Sequence, residues 1–236
     1  MSSFSGNVNT VAYPLAPISS AWNDRAGDWQ NLDDTRHLPR YEIVTCFVDR
    51  LVRAQPSILD VGCGEGLLAR HLSPCQYTGV EPSRMAVHAA RSKGLRVVHA
   101  TAEAFNPGPR TWDAIIFNEM LYYCADPISV LRKYARLVAP HGVIIVSIFQ
   151  RMAPFFPIHE VIRKRLARLV NPQIPRANWD CTRMVLRFIG QTGWSTMRRV
   201  VLGVDARRYL ILALDPHAAA RERPEAARGV APGWRP

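Results

Sequence analysis

The sequence predicts an α/β protein: a doubly wound, mostly parallel sheet of seven strands, with a C-terminal antiparallel hairpin and a small helical cap. Three observations lead there. Short apolar runs alternate with segments of helical periodicity from residue 41 to residue 149, the order that a parallel sheet requires. The run 112–117, Trp-Asp-Ala-Ile-Ile-Phe, is almost wholly apolar, as a strand covered on both faces must be. Two β-rich runs, 196–204 and 207–214, then follow each other with only two residues between them, the spacing of a hairpin.

Each element has a local reason. In residues 41–52, Ile43, Phe47, Val48, Leu51 and Val52 recur at helical spacing, giving a helix with one face on the sheet. Residues 57–61 form the first strand, and 67–72 after it have helical character. Strand two is 77–81. Pro82 and Ser83 suit the start of a helix over 84–93, and Gly94 suits its end. Strand three is 95–99 and strand four 112–117. A helix over 127–138 follows, then His141-Gly142 leads into strand five, 143–149. The rhythm breaks at 150–180, where Pro154, Pro157, Pro172 and Pro175 surround a basic amphipathic segment. We read that stretch as a cap insertion, followed by a helix over 181–193.

Residues 1–20 are rich in Ser, Asn and Pro and read as a loose arm, leaving 21–215 as the folded domain. From 216 to 236 the chain is rich in Ala, Arg and Pro, with almost no large apolar residues except Val230 and Trp234, a composition expected to be disordered.

The 236 residues, 48% of them apolar, suffice for one α/β domain of ordinary size. No apolar run is long enough to span a bilayer. No Lys or Arg precedes Arg25, so neither a secretory nor an Arg-rich transit signal is read, and a cytoplasmic location is expected. The five cysteines are scattered, without a C-x-x-C pair, which predicts reduced thiols and no metal site. The formal charge is +11, with only Lys93, Lys133 and Lys164 as lysines, so that 27 of the 30 basic residues are arginines. Such a surface steers anions.

The most informative stretch is Ile58-Leu59-Asp60-Val61-Gly62-Cys63-Gly64-Glu65-Gly66. A strand ends in an acid and enters a turn with glycine at alternate positions, where a ligand can approach bare backbone. A pyrophosphate-binding turn reads G-x-G-x-x-G and favours anions. Here Asp60 disfavours an anion and suits a ligand carrying positive charge. The pattern D-x-G-x-G-x-G resembles the first motif of class I S-adenosylmethionine-dependent methyltransferases, which implies a Rossmann-like fold and that cofactor, with its ammonium and sulfonium groups.

Glu81 ends strand two, 19 residues after Gly62. One carboxylate there can accept from both hydroxyls of a ribose, and the family places its ribose acid at that point. The resemblance further implies cofactor contacts by Gly62, Cys63, Gly64, Gly66 and Pro82. It places the adenine after strand three, against Thr101, Ala102 and Glu103, with Phe105 either a ring contact or plain core. Asn118-Glu119-Met120-Leu121-Tyr122-Tyr123 resembles the run after strand four in many small-molecule members, with Asn118 and Glu119 beside the methionine end. The resemblance spans residues 56–149. Candidate bases or orienters are Tyr122, Tyr123, His159 and Glu160. No Asn/Asp-Pro-Pro-Tyr/Phe run and no nucleic-acid-binding module is found. The expected acceptor is therefore a small metabolite, anionic or aromatic, methylated on O, N or C. An RNA or protein acceptor held by the basic face is the second reading.

Overall fold

Strand β1 (Ser57–Val61) pairs in parallel with β2 (Gln76–Glu81) on one side and with β4 (Trp112–Asn118) on the other. This is seen in a computed structural model, which describes residues 37–151, 178–204 and 207–221, with 162–163, 165–167 and 169. Beyond β2 lies β3 (Val97–His99), and beyond β4 lies β5 (Val138–Arg151). The C-terminal strands are β6 (Ser195–Val204) and β7 (Arg207–Asp215). They form the expected hairpin, and β7 slots antiparallel between β5 and β6, giving the order β3-β2-β1-β4-β5-β7-β6.

Side-chain alternation along the strands produces two cores, one on each face. Leu59, Val61, Ile115, Phe117, Ile144, Val146, Leu210 and Leu212 pack on one face. Ile58, Ala114, Ile116, Val143, Ile145, Tyr209 and Ile211 pack on the other. Each buried aliphatic side chain contributes about 1.5–3 kcal/mol, so the central strands carry most of the apolar driving force. At the amino ends of β1 and β4, Asp113 accepts from Ser57 N at 2.8 Å and pairs with Arg53 at 3.0 Å. Burial raises the Asp113 carboxyl, but the hydrogen bonds and the charge from Arg53 and Ser57 outweigh it and hold the group below its usual range.

The helices differ from expectation at their ends. Helix α1 (Leu38–Leu51) starts three residues early, because Pro39 fits the first turn, and it buries Arg40, Tyr41, Val44, Phe47 and Val48. Helix α2 (Arg84–Ser92) is capped by the Ser83 side chain, which accepts from the Ala86 amide. In helix α3 (Pro127–Ala135), Asp126 accepts from the amides of Ile128 and Ser129. It stops short of Val138, which instead begins β5 by pairing with Trp112. Helix α4 (Asn178–Thr192) starts three residues before the predicted 181.

The helical character read for 67–72 condenses to one 3-10 turn, Leu68–His71. Pro74 lies within three residues of its end and leaves no room for a longer helix before β2. The C-terminal segment expected to lack structure begins with an ordered turn, α5 (Ala218–Arg221). Asp215 explains it, accepting from the His217 amide at 2.8 Å and pairing with Arg221. Within the cap segment, residues 162–163, 165–167 and 169 are helical. Residues 1–36, 222–236 and most of 152–177, His159 and Glu160 among them, lie outside the described residues. No helix among the described residues is long and apolar enough to cross a membrane.

Candidate active site

The chain leaves β1 toward β2 and β3 on one side, and runs from β4 to β5 on the other. Ligands of open α/β sheets bind at such a switch point, beyond the carboxyl ends of the strands. A cleft of about 370 Å³ lies there, between the glycine turn, the ends of β2 and β4, the start of α1 and the start of β7.

The turn is shaped by its glycines. Gly62 has φ +74°, and a Cβ on it would lie 2.7 Å from Met120 Cβ. Gly64 has φ +54°, and a Cβ there would meet no protein atom within 4 Å, since its surface faces the cleft. A side chain at Gly62 therefore strains the backbone and displaces Met120, at a combined cost of about 2–4 kcal/mol. Gly62→Ala is expected to lower the chemical denaturation midpoint accordingly. An unchanged midpoint would show that the turn tolerates a side chain.

Asp60 is 1% exposed and lines the cleft. Its Oδ2 accepts from Tyr77 OH at 2.9 Å, while Oδ1 is buried without a partner. Burial pushes its carboxyl up to about 7, opposed by the Tyr77 bond. Glu81, also buried, holds the turn in place: Oε2 accepts from Gly64 N at 2.9 Å and Oε1 from Ser83 N at 2.8 Å. Burial raises it to about 7 as well, with the Asp60 charge adding to the effect and the two amides opposing it. Each Glu81 oxygen keeps a lone pair for a further donor. Two buried carboxylates, one with an orphan oxygen, await positive charge and hydroxyl donors.

The segment after β3 is braced from α3. Lys133 donates to Ala102 O at 3.0 Å and Glu103 O at 2.7 Å, and Tyr134 OH donates to Ala102 O at 3.1 Å. Thr101 Oγ1 accepts from the Ala104 amide, and Glu103 from the Ala125 amide. Thr101, Ala102 and Glu103 all line the cleft. Phe105 does not; it is core, stacked on Tyr134 with ring centroids 6.3 Å apart.

At the end of β4, Asn118 Oδ1 is buried without a partner. Glu119 has φ +63°, an uncommon conformation that recurs at functional sites. It accepts from Ser147 Oγ, from Tyr122 OH at 3.2 Å and from Phe149 N at 2.9 Å. Burial raises its carboxyl, opposed first by the charge of Arg40. Tyr122 is buried and Tyr123 half-buried, with ring centroids 4.6 Å apart.

Of the twelve residues expected to meet the cofactor, eleven line this cleft: Asp60, Gly62, Cys63, Gly64, Glu81, Pro82, Thr101, Ala102, Glu103, Asn118 and Glu119. Gly66 does not, and instead backs onto Leu95 and Ala90. Tyr122 and Tyr123 line it too, while His159 lies outside the described residues. Several lining residues carry no local sequence signal: Arg40, His37, Tyr209 and Arg207. Arg40 is 3% exposed, lies over the rings of Tyr41 and Tyr209 at 4.7 and 5.2 Å, and has its Nε without a partner. Burial works against its charge, but nearby Glu119, together with Tyr41, Tyr209 and Tyr122, outweighs that and raises its pKa.

A sheet of this order, with a glycine turn and acids at the ends of its first two strands, defines the class of S-adenosylmethionine-dependent methyltransferases. The comparisons agree: the chain belongs to the methyltransferase domain family, whose model matches residues 36–183, and the methyl donor of that family is S-adenosylmethionine. The chain is 29% identical over 162 residues to a ubiquinone biosynthesis O-methyltransferase of Vibrio cholerae, covering 65% of each chain. It is 28% identical over 189 residues to that of Aliivibrio fischeri, covering 74% of this chain and 78% of the relative. The chain thus spans just under two thirds of the length of the Vibrio cholerae relative. Among solved structures, the N-methyltransferase NodS of Bradyrhizobium japonicum, in complex with S-adenosylhomocysteine, superposes with a TM-score of 0.60 at 17% identity, covering 85% of this chain and 100% of that one. Magnesium protoporphyrin IX methyltransferase of Synechocystis does so with 0.58 at 16%, covering 84% and 97%. At those identities the likeness is one of fold.

Proposed function

We propose that the protein transfers a methyl group from S-adenosylmethionine to a hydroxyl of a small, aromatic metabolite. The observation that carries this reading is the pair of buried carboxylates, Asp60 and Glu81, around a turn of bare backbone. The residues fit the cofactor group by group. The orphan oxygen of Asp60 suits the ammonium, and the buried guanidinium of Arg40 suits the carboxylate of the same methionine end. Glu81 suits the ribose diol, while Thr101, Ala102 and Glu103, fixed by Lys133 and Tyr134, suit the adenine.

When bound, S-adenosylmethionine supplies an electrophilic methyl group on a sulfonium. The chain's own work is alignment, exclusion of water and removal of a proton. Alignment alone is worth up to ~7–11 kcal/mol of barrier. Tyr122 donates to Glu119, so its oxygen is positioned to receive the acceptor's hydroxyl proton while its own proton moves to Glu119. The raised pKa of Glu119 makes it the stronger base. The aromatic rings of Tyr41, Tyr122, Tyr123, Phe149 and Tyr209 line the cleft and support a flat aromatic acceptor. O-methylation is supported by the O-methyltransferase relatives.

Removing the guanidinium tests the assignment of the methionine end. Arg40→Met is expected to weaken S-adenosylhomocysteine binding by about 1.5–3 kcal/mol, the scale of a hydrogen-bonded charge. Calorimetric titration reads it, and an unchanged affinity would remove Arg40 from the cofactor site.

A further inference from the structure

The polar groups lining the cleft have partners with a few exceptions, and the exceptions identify what the site receives. Glu81, Thr101, Glu103 and Glu119 are all hydrogen-bonded, and Tyr209 OH shares a hydrogen bond with His37 Nδ1 at 3.2 Å. Asp60 Oδ1 and Asn118 Oδ1 remain for the donors of the cofactor's amino-acid end. Two guanidiniums are left over, those of Arg40 and Arg207, and neither forms an ion pair with a described carboxylate. The cofactor offers one carboxylate only. On the reading given above, Arg40, the more deeply buried, takes it.

Arg207 is then a second cation with no carboxylate counterpart among the described residues or from the cofactor. It opens β7 two residues before Tyr209, on the same face of the strand, and Arg40 covers the ring of that tyrosine at 5.2 Å. The two charges thus flank Tyr209 in a cleft walled by aromatic rings. An unmatched guanidinium in a half-buried, aromatic-walled site is costly until an anion meets it, and a carboxylate matches its fork in two parallel hydrogen bonds. We propose that the methyl acceptor is an aromatic acid, its carboxylate held by Arg207 and its ring packed among Tyr122, Tyr123, Phe149 and Tyr209. The inference rests on the methyltransferase reading of the same cleft, and places the acceptor at its β7 end.

The test uses the full chain loaded with S-adenosylhomocysteine and two probes of one shape, p-hydroxybenzoate and p-hydroxybenzyl alcohol, titrated by calorimetry. The acid is expected to bind at least about tenfold more tightly than the alcohol, as one charge-assisted bidentate contact gives. R207M should reduce the acid to the affinity of the alcohol, and R207K should restore part of the difference. Retention of S-adenosylhomocysteine binding by R207M within about twofold shows that its site is intact. Equal binding of acid and alcohol, binding of neither, or an undiminished preference in R207M would overturn the proposal. Failure of S-adenosylhomocysteine itself to bind would be a separate result, overturning the methyltransferase reading and not the choice of acceptor.

Discussion

Glu81→Gln is expected to weaken S-adenosylmethionine binding by about 1.5–3 kcal/mol, roughly tenfold to a hundredfold in Kd. The effect is large because this carboxylate has two duties. It accepts from the Gly64 and Ser83 amides, which fixes the glycine turn against the end of β2, and its remaining lone pairs face the cleft. Glutamine has one acceptor oxygen, so its amide nitrogen must confront an N–H or a ribose hydroxyl that needs an acceptor. The substitution keeps volume and shape, which separates lost recognition from lost packing. Calorimetric titration measures the change. An affinity within twofold of the unsubstituted protein would take Glu81 out of the ribose contact.

The second large effect is on pH. Asp60 and Glu81 have ordinary values of 3.8 and 4.5 and are raised to about 7 in the folded protein. Between these limits the native state binds more protons than the unfolded one. The slope of stability with pH is therefore negative, and stability is lost as pH rises from about 4 to 7. At about 1.4 kcal/mol per pH unit and group, the loss amounts to several kcal/mol. Asp113 acts in the opposite direction: its depressed pKa contributes stability above the ordinary carboxylate value that disappears in acid. The free protein should accordingly be most stable on the acid side of neutrality. A ligand with an ammonium group binds the ionised acids, so its affinity should rise with pH through 7 and its binding should release protons. Titrations in two buffers of different ionisation heat count those protons. A melting temperature flat between pH 5 and 8, with no proton release, would contradict the linkage.

What was legible in the sequence follows from how local each constraint is. The glycine turn, Asp60 and Glu81 could be read because a positive φ, a strand end and a fixed spacing leave marks in consecutive residues. The seven strands were legible for the same reason, since apolar runs bounded by turn residues encode them. The position of β7 was not, because strand order depends on pairing over long sequence separations. For that reason Arg207 and Tyr209, more than 80 residues beyond Tyr122, gave no hint that they share its cleft. Arg40 was missed differently: it lies on the buried stripe of α1, where helical periodicity registers apolar residues and passes over a charge. Tyr77 reads as a plain strand residue until the register of β2 brings its hydroxyl to Asp60. The over-long helix after the glycine turn shows the reverse error, a local pattern overruled by Pro74 and the short path into β2.

The central claim is that the cleft at the ends of β1, β2 and β4 is built for a cationic nucleoside with an amino-acid tail. Calorimetric titration of the full chain with S-adenosylmethionine tests it most directly. One molecule per chain should bind, with affinity rising between pH 6 and 8, and with a matching rise in melting temperature. Absence of heat together with an unmoved melting temperature at saturating ligand would contradict the account.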